Sequence, residues 1–279
     1  MNFAALRYEE LTLNAFPVLH TEVYDGWILR FTEGGGLRGN CVTPLYLSTR
    51  SYEDKIIYCE KKFASRSLPA VFKMTANVSG ALDQQLAMAG YEMTGKTRIL
   101  ECRLGGLAEK ASAHIPAPSQ ADPVMEQTTI TLSHSLDDKW LEAFLELDDG
   151  AEEKERSCDR SMLEAVRNPV YCAAVYEGRT PAGCGLGVVE DGKVGLYDIR
   201  VRNTLRRHGI GAAICRAIME EGVREGADTA YLQTDAHNFA ALSLYESLGF
   251  QEVYTYWYRV KPVSAEASDR ASEAARGCR

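Results

Sequence analysis

A strand-like run, Val194–Val201, leads through Arg206-Arg207-His208-Gly209-Ile210-Gly211 into the helical pattern Ala212 to Val223. Strand, two-glycine loop, then helix commits this part of the chain to layered strands and helices. It also builds the geometry of an anion site. Glycines let the backbone approach a phosphate closely, and the first helical turn aims unpaired N–H groups at it. The helix dipole adds roughly half a positive charge there, and Arg206 and Arg207 add full ones. A strand-Gly-helix turn also occurs simply to make the turn, so the loop needs a second signal.

That signal comes about thirty residues on. A strand-like Thr229–Asp235 precedes Asn238-Phe-Ala-Ala241-Leu-Ser-Leu-Tyr245-Glu-Ser-Leu-Gly249-Phe250. Taken together, the two segments resemble the GNAT superfamily of acyl-CoA-dependent N-acetyltransferases. Its loop reads Q/R-x-x-G-x-G/A, matched by Arg206, Gly209 and Gly211. Its next segment reads N-x-x-A-x-x-x-Y-x-x-x-G-F, matched by Asn238, Ala241, Tyr245, Gly249 and Phe250.

Composition narrows the class. The chain has 279 residues, 46% hydrophobic and 25% charged, which suits a globular protein of one or two domains. No apolar run approaches the roughly 18 residues that span a bilayer, and the N-terminus lacks a secretory pattern. A cytoplasmic protein without membrane partner is expected. A net charge of −8 repels nucleic acid overall, so no such partner is expected. The eight cysteines lack C-x-x-C or Cys/His clustering, so neither a metal site nor a disulfide framework is expected.

The downstream half reads as strand Gln127–Leu132, helices Leu136–Leu147 and Lys154–Val166, and strands Val170–Tyr176, Gly183–Glu190 and Val194–Val201. Asp191-Gly192 marks a hairpin between the last two. Helix Ile210–Glu225, strand Thr229–Thr234, helix Asn238–Leu248 and strand Gln251–Val260 complete it. The fold class is α/β (α+β layered), a mixed central sheet flanked by helices. The upstream half repeats part of this order: strands Gly26–Thr32 and Arg38–Leu45, helix Tyr52–Ser65, strand Pro69–Met74, a helix from Ala81, and strand Glu92–Leu104. Aligning Gly90-Tyr91 on Gly249-Phe250 gives an offset of 249 − 90 = 159. There Leu86 stands for Tyr245 and Ser79 for Asn238, with no R-x-x-G-x-G. Two tandem copies of a GNAT-like fold are expected, the first degenerate: residues 1–104, a Gly/Ala/Ser/Pro-rich linker 105–123, a catalytic domain 124–261 and a tail 262–279. The run Gly34–Gly36 reads as a flexible turn.

The resemblance implies the chemistry. Acetyl-CoA serves as co-substrate, its pyrophosphate held at Arg206, Arg207, His208, Gly209, Ile210, Gly211 and Ala212, with the amides of Arg207, Gly209 and Gly211 as donors. Its pantetheine arm enters between splayed strands Val194–Val201 and Thr229–Thr234, near Ile199, Val201 and Ala241. Asn238 either contacts the arm, caps a helix, or does both. Tyr245 is a general acid for the leaving thiolate, or a core residue at helical spacing. Asp198 or Glu190 could relay the amine proton, or each is a solvated carboxylate. The acidic stretch Glu146–Glu155 either borders the acceptor or is a solvated loop. The expected activity is acetyl transfer to a primary amine of a small molecule. A protein N-acetyltransferase and an acyl-CoA-binding sensor with little turnover are the alternatives. The first half is expected to act as a pseudo-symmetric partner, leaving a monomer or weak homodimer.

Overall fold

The computed structural model describes residues 2–32, 36–105, 123–147 and 160–261. The Gly34-Gly35 turn, nearly all of the linker, the acidic stretch beyond Leu147 and the tail lie outside those residues. The described chain divides into two compact units, each discontinuous in sequence. One holds His20–Lys96 and the chain from Tyr256 onward; the other holds Asn2–Leu19 and Thr97–Thr255.

In the first unit the strands are β1 (His20–Tyr24), β2 (Trp27–Phe31), β3 (Val42–Pro44), β4 (Val71–Met74) and the second half of β11 (Gln251–Val260), in that order across the sheet. Its helices are α2 (Gly36–Gly39), α3 (Tyr52–Ala64) and α4 (Gly80–Met88). Asp25 and Gly26 both adopt positive φ, +43° and +80°, which makes the tight β1–β2 hairpin turn. A Cβ at Gly26 would stand 2.3 Å from the Leu47 carbonyl oxygen, so only glycine fits. The expected strand Arg38–Leu45 is shorter and begins as a helical turn. Asn40 turns its side-chain oxygen onto the Thr32 amide at 2.9 Å, a local bond that competes with extended pairing. The core gathers Trp27, Leu29, Phe31, Phe63, Phe72 and Leu86. Ile56, Cys59 and Phe63 of α3 face it as their spacing requires, while Ile57 is exposed.

In the second unit the order is β5 (Glu92–Arg103), β10 (Thr229–Asp235), β9 (Lys193–Val201), β8 (Thr180–Glu190), β7 (Val170–Glu177) and β6 (Thr128–Ser133). Helices α1 (Phe3–Ala15), α5 (Pro123–Glu126), α6 (Asp138–Glu146), α7 (Ile210–Arg224) and α8 (Phe239–Ser247) accompany it, and residues 160–164 form a further helical turn. The helix α7 lies on β7, β8 and β9 and buries Ile210, Ile214, Cys215, Ile218 and Met219. These join Leu196, Leu232, Tyr245 and Phe250 in the core.

The repeat inferred from the sequence is present. β3-α3-β4-α4 and β9-α7-β10-α8 share one order, and β3–β4 and β9–β10 are the parallel pairs. Ser79 and Asn238 each cap the fourth element's helix, and Tyr91 and Phe250 are both buried. The linear boundaries at 104 and 124 differ from the observed units, for two reasons. The last strand of each copy pairs within the other unit: β11 runs antiparallel to β4, and β5 runs antiparallel to β10 from Thr229–Arg103 to Asp235–Thr97. Helix α1 also belongs to the second unit. Its Asn14 donates to Glu190 at 2.7 Å, Arg7 pairs with Asp191, and buried Glu9 accepts from the Tyr254 hydroxyl at 2.7 Å.

Candidate active site

Strands β9 and β10 pair in parallel only from Lys193–Thr229 to Leu196–Leu232. Beyond that they lose each other, although β9 stays paired to β8 as far as Val201 and β10 to β5 as far as Asp235. The result is a cleft between the C-terminal ends of two parallel strands. A bulge marks the place where it opens. Between the Leu186–Tyr197 and Cys184–Arg200 pairs, Asp198 and Ile199 stand opposite the single residue Gly185. Asp198 takes φ +52°, a left-handed backbone uncommon for a residue with a side chain. It is half-buried. A Cβ at Gly185 would stand 2.6 Å from Ile199 Cδ1, so the small residue makes room for the bulge.

After Val201 the chain passes through a 3₁₀ turn, Asn203–Leu205, to the glycine loop. Gly209 is the residue preceding α7 and sits at φ +85°. Its missing Cβ would meet only Met125 Cγ, at 4.0 Å, so the space beside it is open. Helices α1, α3, α4, α6 and α8 each carry a side-chain N-cap, whereas α7 has none and no acid in its first turn. The first-turn amides of Ile210, Gly211 and Ala212 have no acceptor within the helix. Gly211 has a different job: a Cβ there would lie 3.2 Å from Leu244 Cδ2 and 3.7 Å from Val201 Cγ2, so it allows α7, α8 and β9 to approach. Arg206 and Arg207 are exposed and His208 half-buried. Arg206 Nε reaches back to the Val201 carbonyl at 3.4 Å.

Across the cleft, Asn238 Oδ1 accepts from the Ala241 amide at 3.1 Å. The capping role is therefore filled. One and two turns on, Ala241 is half-buried and Tyr245 is buried, its ring edge-on to Phe250 at 5.9 Å. Burial, together with nearby Cys215, raises the Tyr245 hydroxyl well above its ordinary range, so it holds its proton throughout neutral pH.

Glu190 is not at this place. It lies beside the β8–β9 hairpin, at the opposite end of β9, and its carboxylate accepts from Asn14 and Asn168 at 2.7 and 3.0 Å. A proton relay by Glu190 is thereby displaced by a structural role. The structure adds an element that the sequence reading missed. Next to Asp198 is a small cavity walled by Ala15, Phe16 and Pro17 from the end of α1, with Phe144, Leu163, Leu186 and Tyr197. In α1, Ala5, Tyr8, Leu11 and Ala15 are buried at helical spacing, with Glu9 and Thr12 buried beside them.

A family model described as "Probable histone acetyltransferase Rv0428c C-terminal" matches residues 5–259. The chain belongs to this family. It is 25% identical over 257 residues to the uncharacterized N-acetyltransferase YobR of Bacillus subtilis, covering 91% of this chain and 98% of that protein. Its fold is similar to a GCN5-related N-acetyltransferase from Kribbella flavida, with TM-score 0.65 and 14% identity over 95% of this chain and 98% of the other. It is also similar to a tandem GNAT protein from the clavulanic acid biosynthesis pathway, with TM-score 0.62 and 13% identity over 93% of each chain. The acetyltransferase is thus an acyltransferase enzyme of the GNAT superfamily with tandem GNAT architecture. GNAT acetyltransferases in general use acetyl-CoA. Among the described residues, no group of three or more His, Cys, Asp or Glu could hold a metal ion. None of the described helices is long and apolar enough to cross a membrane.

Proposed function

We propose that the second unit transfers an acetyl group from acetyl-CoA to a primary amine of a small molecule by direct attack. The observation that carries this reading is the cleft between β9 and β10, which ends at the uncapped, acid-free N-terminus of α7. The amides of Arg207, Gly209 and Gly211, with Ile210 and Ala212, receive the pyrophosphate, and the open space beside Gly209 admits it. The pantetheine arm lies along Ile199 and Val201, between them and the Asn238–Ala241 turn. A β9 amide beyond the bulge polarises the thioester carbonyl, a contribution of a few kcal/mol in related chemistry.

The amine nitrogen attacks the carbonyl carbon as its proton passes, through water, to Asp198. The carbon–sulfur bond then breaks, and Tyr245 gives its proton to the departing thiolate. The phenol is protonated at neutral pH, as that donation requires, although burial also makes it a weaker acid. The single phosphate-type loop supports one acetyl-CoA per chain.

The test is release of free CoA thiol from acetyl-CoA with a panel of small amines and a panel of peptide N-termini. Turnover with small amines is expected. Turnover confined to peptides would move the reading to a protein N-acetyltransferase, and binding without any turnover would move it to a sensor.

A further inference from the structure

The first unit carries a cleft of its own, beyond the C-terminal ends of the parallel strands β3 and β4. It lies between residues 44–52 and residues 77–82, the start of α4. In the repeat this is the place where β9 and β10 part in the second unit. The cleft is open to solvent and offers a space of about 390 Å³, within the roughly 300–1,000 Å³ of small-molecule sites.

Its chemistry is not that of a phosphate cradle. The 159-residue offset sets Arg50 on Gly209 and Tyr52 on Gly211, so two large side chains stand where the loop of the second unit is bare. Tyr52 stacks on Trp27, with ring centroids 6.5 Å apart. Ser51 caps α3, and Glu53 and Asp54 lie in its first turn. That helix end is already answered by a cap and by acid, so it offers a pyrophosphate little. The floor is apolar instead: Trp27, Leu45 and Leu82 line it and are all buried. Leu47, 86% exposed, stands at the mouth.

Arg50 is the one charged residue among the described residues that line the cleft. Its guanidinium makes no ion pair among the described residues and rests over the Tyr24 ring, 5.6 Å from the centroid. The neighbouring acid is already matched. Asp25 stands 3.3 Å from the buried Lys55 ammonium and accepts from the backbone amides of Thr49 and Arg50 at 3.0 and 2.9 Å.

We infer that this cleft binds a small monocarboxylic acid with an apolar body, the carboxylate on Arg50 and the body on the Trp27–Leu45–Leu82 floor. The planar guanidinium fork matches a carboxylate in two parallel hydrogen bonds, and the apolar body gains by leaving water. A cation of the same shape meets Arg50 with like charge. The site is separate from the acetyl-CoA cleft and does not depend on the transferase reading.

The experiment is calorimetry on the full chain with saturating CoA present, using phenylpropionate, phenylpropanol and phenylpropylamine as a matched set. Phenylpropionate should bind once per chain, at least about tenfold tighter than the alcohol or the amine, the scale of a hydrogen bond to a charged group. Arg50→Gln should weaken it about tenfold or more on the same ground. Leu47→Asp, which sets a like charge at the mouth, should weaken it as well. Both positions are exposed, so the fold is kept, and CoA affinity should be unmoved in either variant. A parent that fails to bind phenylpropionate at millimolar concentration overturns the inference. So does an amine that binds as tightly, or binding unmoved by both variants. A second CoA per chain that is lost in Arg50→Gln also overturns it, since the cleft would then be a CoA site.

Discussion

Replacing Tyr245 by Phe separates packing from chemistry at one position. The ring is buried and meets Phe250 edge-on at 5.9 Å within the core formed by Leu196, Ile214, Cys215 and Leu232. Phenylalanine keeps that ring and its burial. The change therefore removes one hydroxyl and almost no volume. A hydroxyl's net hydrogen bond is worth about 0.5–1.5 kcal/mol, so Tm should fall by no more than about 2–6 °C for a unit of this size. Acetyl-CoA affinity, read by calorimetry, should not change. If Tyr245 protonates the thiolate, kcat should fall about 10²–10⁴-fold, an added barrier of about 3–5 kcal/mol. The raised pKa of the folded phenol also means that its proton stays in place as pH approaches 10. The high-pH limb of the parent's kcat profile should therefore not show a loss centred at the ordinary tyrosine value. A kcat within twofold of the parent would refute the general-acid role and leave Tyr245 as a packing residue.

Gly209→Trp should abolish acetyl-CoA binding while costing about 1–2 kcal/mol of stability through its left-handed backbone, because open space surrounds the missing Cβ; calorimetry and a melting curve check both. Gly211→Trp should instead unfold or strongly destabilise the unit, since Leu244 and Val201 already occupy the space, and a melting temperature equal to that of Gly209→Trp would contradict this. The isolated fragment 124–261 should fail to fold, because it lacks the β5 residues that pair along β10 and it lacks α1; a soluble, cooperatively melting, active fragment would disprove that. Burial pushes the thiols of Cys59, Cys172, Cys184 and Cys215 up to about 12 from an ordinary value near 9. Above pH 9 the unfolded chain loses these protons and the folded chain keeps them, so stability should be fully present below pH 9 and fall progressively toward pH 12. Denaturant midpoints across that range test it, and a flat profile would be the contrary result.

Much of this protein was legible in its sequence because the signals are local. Apolar period and turn residues placed most elements within a few residues: Asp191-Gly192 forms the β8–β9 turn, and the 159-residue offset sets Ser79 against Asn238 as helix caps. The glycine loop also behaves as its residues require, with Gly209 left-handed beside open space and α7 uncapped. Tertiary structure decided the rest, because the deciding contacts lie far apart in sequence. Backbone edges carry no record of their partner, so that β5 would pair with β10 and β11 with β4 could not be read from either strand alone. Helix α1 buries Ala5, Tyr8, Leu11 and Ala15 at helical spacing, but the bonds that place it, at Asn14, Glu9 and the Arg7–Asp191 ion pair, join it to residues far along the chain. The same distance moved Glu190 to the hairpin end of β9, while the two-against-one register opposite Gly185 turned Asp198 toward a left-handed backbone beside the small cavity. Sequence period fixes which face a residue occupies. Only the packing of remote segments fixes what it meets there.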